Sequence, residues 1–302
     1  MRRFLLFVFV MLCCDSLQAA PLRVVTLTND STEALLALGL KPVGATRSLV
    51  GNPWFPHIAA EMQGVTVVGQ ELNPNIELIA SLKPDLIIGT RQKMARLKPI
   101  LEMIAPTVLV KDNRMQWQQN FLTYAKAVGM AQQAKSSLDC LNGHIRVMRD
   151  ALVQQPLQTV SVLRFNPGQV RMYQLDSFTG ELFAALGLKR PPAQQVHAYG
   201  VNNFSRERMA ELDADILFYF TYGTRRQQST LQYRDNFMRD ASWQQLQVVR
   251  NHQVHALDDV IWNTANGFLA AEIALSQIPQ LFSLPTQSAP SEFSSCRLPA
   301  KT

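Results

Sequence analysis

Short apolar runs alternate with helical patterns through the first half of the chain. Residues 23–27, 43–46, 65–68, 86–88 and 108–110 are predicted β-strands, and residues 75–82 and 94–104 are predicted helices. The order Asp30-Ser31-Thr32-Glu33 is typical of a capping box, and it opens a further short helix that Gly39 ends. This alternation favours a mainly parallel sheet with helices on its faces.

The second half repeats two segments of the first half in the same order. The segment NIELIASLKPDLII at 75–88 aligns without gaps with SRERMAELDADILF at 205–218, and EALLALGLK at 33–41 aligns with ELFAALGLK at 181–189. The longer copies begin with helix-capping residues, Asn73 before Pro74 in one and Ser205 in the other. Two matches in one order predict two lobes of related design.

A long amphipathic pattern separates the two halves. Its apolar positions recur at alternating spacings of four and three: Ala134, Leu138, Leu141, Ile145, Met148 and Leu152. This spacing predicts a helix over residues 131–154, about 35 Å long at a rise of about 1.5 Å per residue. The pattern fits an ordinary packing helix of one domain, but its place between the repeats favours a rigid strut between two lobes.

The predicted architecture is an α/β protein of two Rossmann-like lobes with mainly parallel sheets, joined by one long helix. The predicted boundaries are residues 21–129 for the first lobe, 130–155 for the helix, 156–284 for the second lobe and 285–302 for a tail. The tail is rich in Ser, Pro and Thr, so we expect it to be loosely ordered.

The first twenty residues have the order of a secretory signal peptide. Arg2 and Arg3 precede an apolar run at 4–12, and small residues follow at Ala19 and Ala20, where we expect cleavage. The run is shorter than the roughly 20 residues that a membrane-spanning helix needs. Lipidation at Cys13 or Cys14 is the less favoured alternative, because the bulky Leu12 precedes them.

Charge and composition are those of a globular protein without a nucleic-acid partner. The chain has 302 residues, 47% of them hydrophobic and 17% charged, with a formal net charge of +6. Loss of residues 1–20 removes two Arg and one Asp and leaves +5. The charges are dispersed rather than gathered into basic runs, which argues against nucleic-acid binding.

Cys140 and Cys296 remain after cleavage of the signal peptide. In an oxidising compartment they can form a disulfide that ties the tail to the middle of the chain. Two unrelated buried thiols are the equal alternative.

Catalytic and metal-binding signatures are scarce. The sequence has no His-Glu-x-x-His, no Gly-x-Ser-x-Gly, no phosphate loop and no Cys-x-x-Cys. His252 and His255, with Asp258 and Asp259 behind them, flank a predicted strand at 254–257. We interpret them as solvated residues at a strand edge rather than as a metal site, and we expect no enzyme activity and no bound metal.

Cations and aromatic rings follow predicted strands in both halves. Because ligands of open parallel sheets bind at the carboxyl ends of the strands, these residues predict one cleft between the lobes. Guanidinium groups would bind carboxylate oxygens there, and rings would supply apolar contact. The alternative is that the arginines only solvate loops. The candidate residues are Arg47, Trp54, Arg91, Arg164, Tyr173, Tyr199, Tyr222, Arg225 and Trp262.

At these residues the sequence resembles the periplasmic binding proteins for iron siderophores and cobalamin. The resemblance covers residues 23–282, and its most specific pieces are NIELIASLKPDLII, FSRERMAELDADIL, FTGELFAALGL and VHALDDVIWNTANGFLAAE. It implies the class III fold of such proteins, in which one long helix joins two lobes and the ligand lies between them. Within the family the chain is most similar to ferric dicitrate-binding members, in IAPTVLVK at 104–111 and in residues 262–272.

This resemblance implies a periplasmic carrier that delivers a ferric siderophore-type chelate, of which ferric citrate is the best example, to an inner-membrane ABC importer. We expect a monomer without a cofactor, with iron present only inside the bound chelate. Haem or cobalamin binding, and transport of free zinc or manganese, are the alternatives.

Glu77 and Glu207 occupy the same position of the longer repeat. A carboxylate in the first turn of a helix is stabilised by the helix dipole by about 0.3–1 kcal/mol, which alone could explain both residues. The family resemblance implies a second role, in which each carboxylate docks onto arginines of the permease dimer.

Overall fold

Two β-sheets, one from each half of the chain, form the framework of the protein. The computed structural model describes residues 22–111, 116–156, 159–223, 228–284 and 295–300. The predicted signal peptide therefore lies outside the described residues, as does Arg225. No helix in these ranges is both long and apolar enough to cross a membrane.

The first sheet has six strands in the order β4-β3-β2-β1-β5-β6 among the described residues. Its pairs are parallel except for β3 with β4. The strands are β1 (Val24–Thr26), β2 (Gly44–Arg47), β3 (Thr66–Gln70), β4 (Asn73–Pro74), β5 (Leu86–Thr90) and β6 (Thr107–Val110). The helices of this half are α1 (Asn29–Ala37), α2 (Ile76–Ser81), α3 (Arg91–Met94), α4 (Lys98–Glu102) and α5 (Trp117–Ala127).

The second sheet has five strands in the order β11-β10-β7-β8-β9, again counting described residues. The strands are β7 (Val160–Asn166), β8 (Gln169–Tyr173), β9 (Gly200–Val201), β10 (Ile216–Thr221) and β11 (Val254–Ala256). The helical segments are α7 (Phe178–Ala185), a 3₁₀ helix (Arg206–Leu212), α8 (Gln228–Met238), α9 (Ala241–Gln244), α10 (Gln247–Arg250), a π-helical turn (Val260–Thr264) and α11 (Phe268–Leu281).

This second sheet is mixed rather than mainly parallel. Strands β7, β10 and β11 are parallel, whereas β8 pairs antiparallel with both neighbours. Only Pro167 and Gly168 separate β7 from β8, and Gly168 has a φ of 70°, in the left-handed region that glycine adopts without strain. A turn this short can only return the chain antiparallel. The predicted α/β class with two sheets is confirmed, and this hairpin is the departure from it.

The two copies of the longer sequence repeat make equivalent hydrogen bonds. Asp85 Oδ2 accepts a hydrogen bond from the backbone N–H of Arg23, which precedes β1, at 2.8 Å. Asp215 Oδ2 accepts the equivalent bond from Thr159, which precedes β7, also at 2.8 Å. The two aspartates share one position of the longer repeat, so each half fixes the start of its inner strand in the same way.

The long helix α6 (Ala131–Val153) connects the halves. Its 23 residues make it about 35 Å long. All six apolar positions of the predicted stripe are buried, in a cluster that also includes Phe55 from the first half and Phe218 from the second. The largest hydrophobic cluster therefore extends through both lobes, and each lobe has a further cluster of its own.

Several predicted helix boundaries were wrong. The helix predicted at 94–104 is two short helices, α3 and α4. The segment after Ser205 is a 3₁₀ helix, and Asn75 caps α2 in place of Asn73, with its Oδ1 accepting from the N–H of Leu78 at 2.9 Å. Thr28 and Ser31 form the capping box of α1 in place of the predicted Asp30 and Glu33, because the helix begins at Asn29 and its third residue is Ser31.

Candidate functional site

The carboxyl ends of the parallel strands from both sheets face a common cleft. At its centre is a cavity of about 140 Å³ with walls from both halves of the chain. Its lining from the first half is Asn29, Leu49, Glu71 and Lys93, and from the second half Arg164, Tyr199, Asn263, Thr264 and Asn266. A cation from each half therefore lines the same small space, among the side-chain amides of three asparagines.

The central cavity continues outward into a larger one of about 510 Å³ on the first lobe. The two cavities share Leu49, Glu71 and Lys93. The outer cavity adds Arg47, and its rim carries two apolar side chains, Leu49 and Leu72, which are 60% and 79% exposed. A ligand bound there would meet a cation and apolar surface side by side.

A third cavity, of about 610 Å³, also has walls from both halves of the chain. Val50, Gly51 and Pro56 form its first-half wall. Its second-half wall includes Tyr219, Thr221, Gly223 and Arg234, together with residues 256–260. Its lining is mostly apolar but includes Arg234, Asp258 and Asp259.

Arg164 is the buried cation of the cleft. Strand β7 carries it, and its Nη2 donates to Asp259 Oδ2 at 2.6 Å and to Thr264 Oγ1 at 3.3 Å. Burial disfavours the charge, but Asp259 and two nearby tyrosines more than compensate, so the pKa of Arg164 is raised. The guanidinium group also lies 4.8 Å from the ring centroid of Tyr222.

Lys93 and Glu71 form an ion pair on the opposite wall. Glu71 Oε1 also accepts hydrogen bonds from the backbone N–H and the side-chain Nδ2 of Asn29, at 2.8 and 2.7 Å. The Glu71 carboxylate thus lies at the N-terminal end of α1, where a negative charge is favoured. The protein fills this part of the cleft with a carboxylate of its own.

Asp30 lies directly behind this wall and is buried. Its Oδ2 accepts a hydrogen bond from the hydroxyl of Tyr124 at 2.9 Å. Burial, with a smaller contribution from the negative charge of Glu71, raises the pKa of Asp30 to about 6. Hydrogen bonds from Thr28 and Tyr124 and the charge of Lys93 oppose this rise.

Arg171 and two tyrosines form a stack at the second-lobe edge of the cleft. The Arg171 guanidinium group lies 5.9 Å from the Tyr173 ring centroid and 5.5 Å from that of Tyr199. Because Tyr199 lines the central cavity, this stack holds a cation and a ring beside that cavity.

The structure brings some of the predicted ligand residues together and not others. Arg47, Arg164 and Tyr199 line the central or outer cavity, and Tyr222 contacts Arg164. Arg91 is exposed at the start of α3 and is not among the described residues that line these cavities.

Three predicted aromatic ligand residues belong to the core instead. Trp54 is buried, and Tyr173 lies beneath Tyr199. Trp262 is fully buried, where its Nε1 donates to Gln277 Oε1 at 2.7 Å and its ring packs against Phe183. Apolar rings near strand ends were excluded from water rather than presented to the cleft, because their burial stabilises the fold.

Several polar residues that line the central cavity were not predicted from the sequence. Lys93 follows β5 two positions after the predicted Arg91, and the turn of α3 brings it to the cavity. Asn263, Thr264 and Asn266 lie in the polar stretch NTAN between apolar segments, a signal that could have been used.

The interpretation of Asp259 as a solvated residue at a strand edge was wrong. Asp259 is buried and paired with Arg164. His255 pairs with Gln253 at 3.2 Å, and the group His252, His255, Asp258 and Asp259 does not gather a metal site among the described residues.

Glu77 and Glu207 are both exposed, in the first turn of α2 and of the 3₁₀ helix respectively. The hydroxyl of Ser205 and the backbone N–H of Glu207 lower the pKa of the Glu207 carboxyl. The two carboxylates therefore occupy equivalent exposed positions, one on each lobe.

Cys140 and Cys296 form a disulfide, with their Cα atoms 5.7 Å apart. Of the tail that was expected to be loosely ordered, residues 295–300 pack against the first lobe. The backbone N–H of Leu298 donates to the carbonyl of Ala37 at 2.8 Å, and Arg297 pairs with Glu61 at 2.6 Å.

Comparison with known proteins places these features in a wider group. Residues 24–261 match the family described as periplasmic binding protein. The chain is 39% identical to a probable siderophore-binding lipoprotein of Bacillus subtilis over 274 residues, covering 89% of this chain and 84% of the relative. It is 26% identical to the Fe(3+) dicitrate-binding periplasmic protein of Escherichia coli, covering 88% and 87%.

A solved structure is similar to this chain in both fold and sequence. Staphylococcus aureus SirA in complex with staphyloferrin B superposes with a TM-score of 0.82 at 26% identity, covering 89% of this chain and 96% of SirA. The family resemblance predicted from the sequence is confirmed by these matches.

Proposed function

Because the chain belongs to the periplasmic binding protein family, we propose that it captures an anionic ferric chelate and delivers it to an ABC importer of the inner membrane. The chain is a substrate-binding transport protein of the siderophore and iron-chelate group and not an enzyme.

Cations from both halves of the chain meet in the cleft. Lys93 from one half and Arg164 from the other line a single cavity with three asparagine amides, and Arg47 lines its outward continuation. Carboxylate oxygens around a ferric ion would accept from these donors, and each charge-assisted hydrogen bond contributes about 1.5–3 kcal/mol. The protein would hold the organic shell and leave the iron coordinated by the chelator.

We propose a ferric carboxylate chelate, with ferric citrate as its simplest member. The relative from Escherichia coli is named for ferric dicitrate, which supports this choice. The size of the cleft supports it as well. The central cavity alone, at about 140 Å³, is smaller than a usual ligand pocket of roughly 300–1,000 Å³, but together with the adjoining outer cavity of about 510 Å³ it reaches that range.

Equilibrium dialysis with ferric citrate, haem, cobalamin and zinc chloride tests the ligand class. We expect saturable binding of ferric citrate that weakens with rising salt, because the attraction is between charges. Tighter binding of haem or cobalamin than of ferric citrate, or stoichiometric binding of zinc by the oxidised protein, would contradict the proposal.

We further propose that Glu77 and Glu207 dock the carrier onto basic residues of the permease. Their equivalent exposed positions on the two lobes fit a partner with two like halves. The double variant Glu77→Gln, Glu207→Gln should abolish iron uptake by cells and leave chelate affinity unchanged. The matched control is Glu102→Gln with Glu211→Gln, which alters two other surface carboxylates. Equal loss of uptake in both doubles would contradict docking through Glu77 and Glu207.

A further inference from the structure

A second cluster of ligand-type side chains lies on α6, away from the cleft. Cys140, His144 and Cys296 place one potential ligand atom each within 4.8 Å of the others. Nδ1 of His144 lies 3.7 Å from Sγ of Cys296. None of the three lines the cleft cavities described above.

The spacing of this cluster follows from the fold. Cys140 and His144 are four residues apart on one helix and therefore lie on the same face. Cys296 reaches them from the tail, where its backbone N–H donates to Glu272 Oε1 at 2.5 Å. Residues 295–300 are thus fixed by contacts other than the disulfide, and the tail stays beside α6 through them.

We propose that Cys140, His144 and Cys296 form a zinc site when the disulfide is reduced. Two thiolates and one imidazole are a donor set that zinc favours, and the hard ferric ion of the chelate does not compete well for sulfur. Disulfide and metal exclude each other, because the same two sulfur atoms make either bond. The protein therefore has two alternative states at this position.

The zinc site forms in two steps, reduction of the disulfide and then binding of the metal. A small dithiol reduces the disulfide: the S–S bond breaks, the two protein sulfurs gain two electrons and two protons, and the dithiol becomes a cyclic disulfide. Zn²⁺ then binds both sulfurs and the neutral imidazole Nδ1 and releases the two thiol protons. Water completes the tetrahedron.

Metal binding requires only a local movement. Two sulfurs at about 2.3 Å from a tetrahedral zinc are about 3.7 Å apart, so Sγ of Cys296 must withdraw from Cys140. Cys296 is buried, whereas Cys140 and His144 are half-buried, which leaves a route for the ion. Two thiolates neutralise the charge of Zn²⁺, so the bound state carries no net charge into this partly buried place.

Cobalt(II) is the probe of choice, because it replaces zinc and absorbs light when thiolates bind it. The full-length mature protein is reduced with a dithiol, freed of reductant without oxygen, and titrated with cobalt chloride. We expect one cobalt per chain, with thiolate-to-cobalt absorption that zinc abolishes. The oxidised protein should show no such absorption.

Variants assign the ligands. Cys140→Ser should abolish the thiolate absorption expected of a two-sulfur site. His144→Ala should weaken zinc binding by at least about tenfold, because even the loss of a residue that only hydrogen-bonds to a metal ligand weakens binding by that factor. His197→Ala, which alters an exposed histidine paired with Asp176, is the matched control and should bind as the unaltered protein does.

Two results would overturn the proposal. One is a reduced protein that remains folded, with two free thiols, and shows no thiolate absorption at stoichiometric cobalt. The other is a His144→Ala variant that binds zinc as tightly as the unaltered chain. If reduction unfolds the protein, zinc should restore its circular dichroism spectrum, and failure to do so would equally contradict a zinc site.

Discussion

Glu33 and Glu181 make equivalent contacts across the two halves of the molecule. Each is the first residue of one copy of the shorter repeat. Glu33 Oε2 accepts from the backbone N–H of Ala270 in the first turn of α11, at 2.9 Å. Glu181 Oε1 accepts from the N–H of Gln116, directly before α5, at 2.6 Å. Each carboxylate therefore caps a helix that the other half of the sequence supplies.

Glu33 is the more deeply embedded of the two. Its other oxygen lies 2.6 Å from Nε2 of His57, and its side chain is fully buried. A Cβ atom at position 267 would overlap the Glu33 carboxylate, so this close approach requires Gly267. The helix α11 and the polar stretch before it, which lines the cleft, are held in place by this contact.

Replacing the two glutamates should destabilise the protein unequally. Glu33→Ala leaves His57 without its buried partner and should lower the free energy of unfolding by about 3–5 kcal/mol. Glu181→Ala removes a half-buried cap and should cost about 0.5–2 kcal/mol. Urea denaturation followed by circular dichroism measures both.

Glu102→Ala is the control for these variants, because Glu102 pairs with Lys98 on the surface of α4. Its effect should stay within about 0.5 kcal/mol. Equal losses at positions 33 and 181 would contradict the unequal roles that the contacts assign.

Asp30 should make stability depend on pH. Its folded pKa of about 6 exceeds the usual 3.8, so its contribution to stability is fully present below about pH 4 and is lost as pH rises through about 6. The shift corresponds to about 3 kcal/mol. Asp30→Asn keeps an acceptor for Tyr124 and removes the titration, so the variant should gain stability relative to the unaltered protein on going from pH 4 to pH 7.

The measurement is urea denaturation of both proteins across this pH range. Asp139→Asn, at an exposed position of α6, serves as control and should run parallel to the unaltered protein. If Asp30→Asn also runs parallel, Asp30 titrates normally in the folded state.

Lys93 and Glu71 should affect chelate affinity in opposite directions. Glu71→Gln frees Lys93 from its internal partner and should tighten binding of ferric citrate. Lys93→Met removes a cation from the central cavity and should weaken it by about tenfold or more, since a charge-assisted contact contributes about 1.5–3 kcal/mol. Calorimetric titration gives both constants.

The pair Lys98 and Glu102 provides the matched controls, because it has the same charges at the surface of α4. Lys98→Met and Glu102→Gln should leave affinity unchanged. A loss of affinity in Glu71→Gln would mean that this carboxylate itself contacts the ligand and does not compete with it.

Loss of the disulfide should destabilise the fold. Cys140 and Cys296 are 156 residues apart, so their bond restricts the unfolded chain strongly. The double variant Cys140→Ser, Cys296→Ser should lose about 2–5 kcal/mol of unfolding free energy. A dithiol should destabilise the unaltered protein in metal-free buffer and leave the double variant unaffected; the same sensitivity in both would contradict this.

The parts of the fold that depend on local periodicity could be predicted from the sequence. The stripe from Ala134 to Leu152 defined α6, because one buried face of a helix imposes a regular spacing. The glycines that end α1 and α7, Gly39 and Gly187, have φ values of 70° and 76°, as a shared Leu-Gly-Leu-Lys sequence suggests.

The site was less predictable, because a residue's position near the end of a strand does not determine whether its side chain points into the cleft or into the core. Arg164 and Trp262 were both predicted from their places at or after the ends of predicted strands, yet one lines the cleft and the other belongs to the hydrophobic core. Pairings such as Arg164 with Asp259 join residues 95 positions apart, and no local pattern encodes them.

The core shared by the two lobes has a consequence for the proposed delivery to an importer. Because one apolar cluster and two reciprocal caps join the lobes, we expect the empty and the loaded protein to have the same outline. The permease would then have to distinguish full from empty carriers by the cargo visible at the mouth of the groove. Small-angle X-ray scattering should accordingly give the same radius of gyration before and after loading.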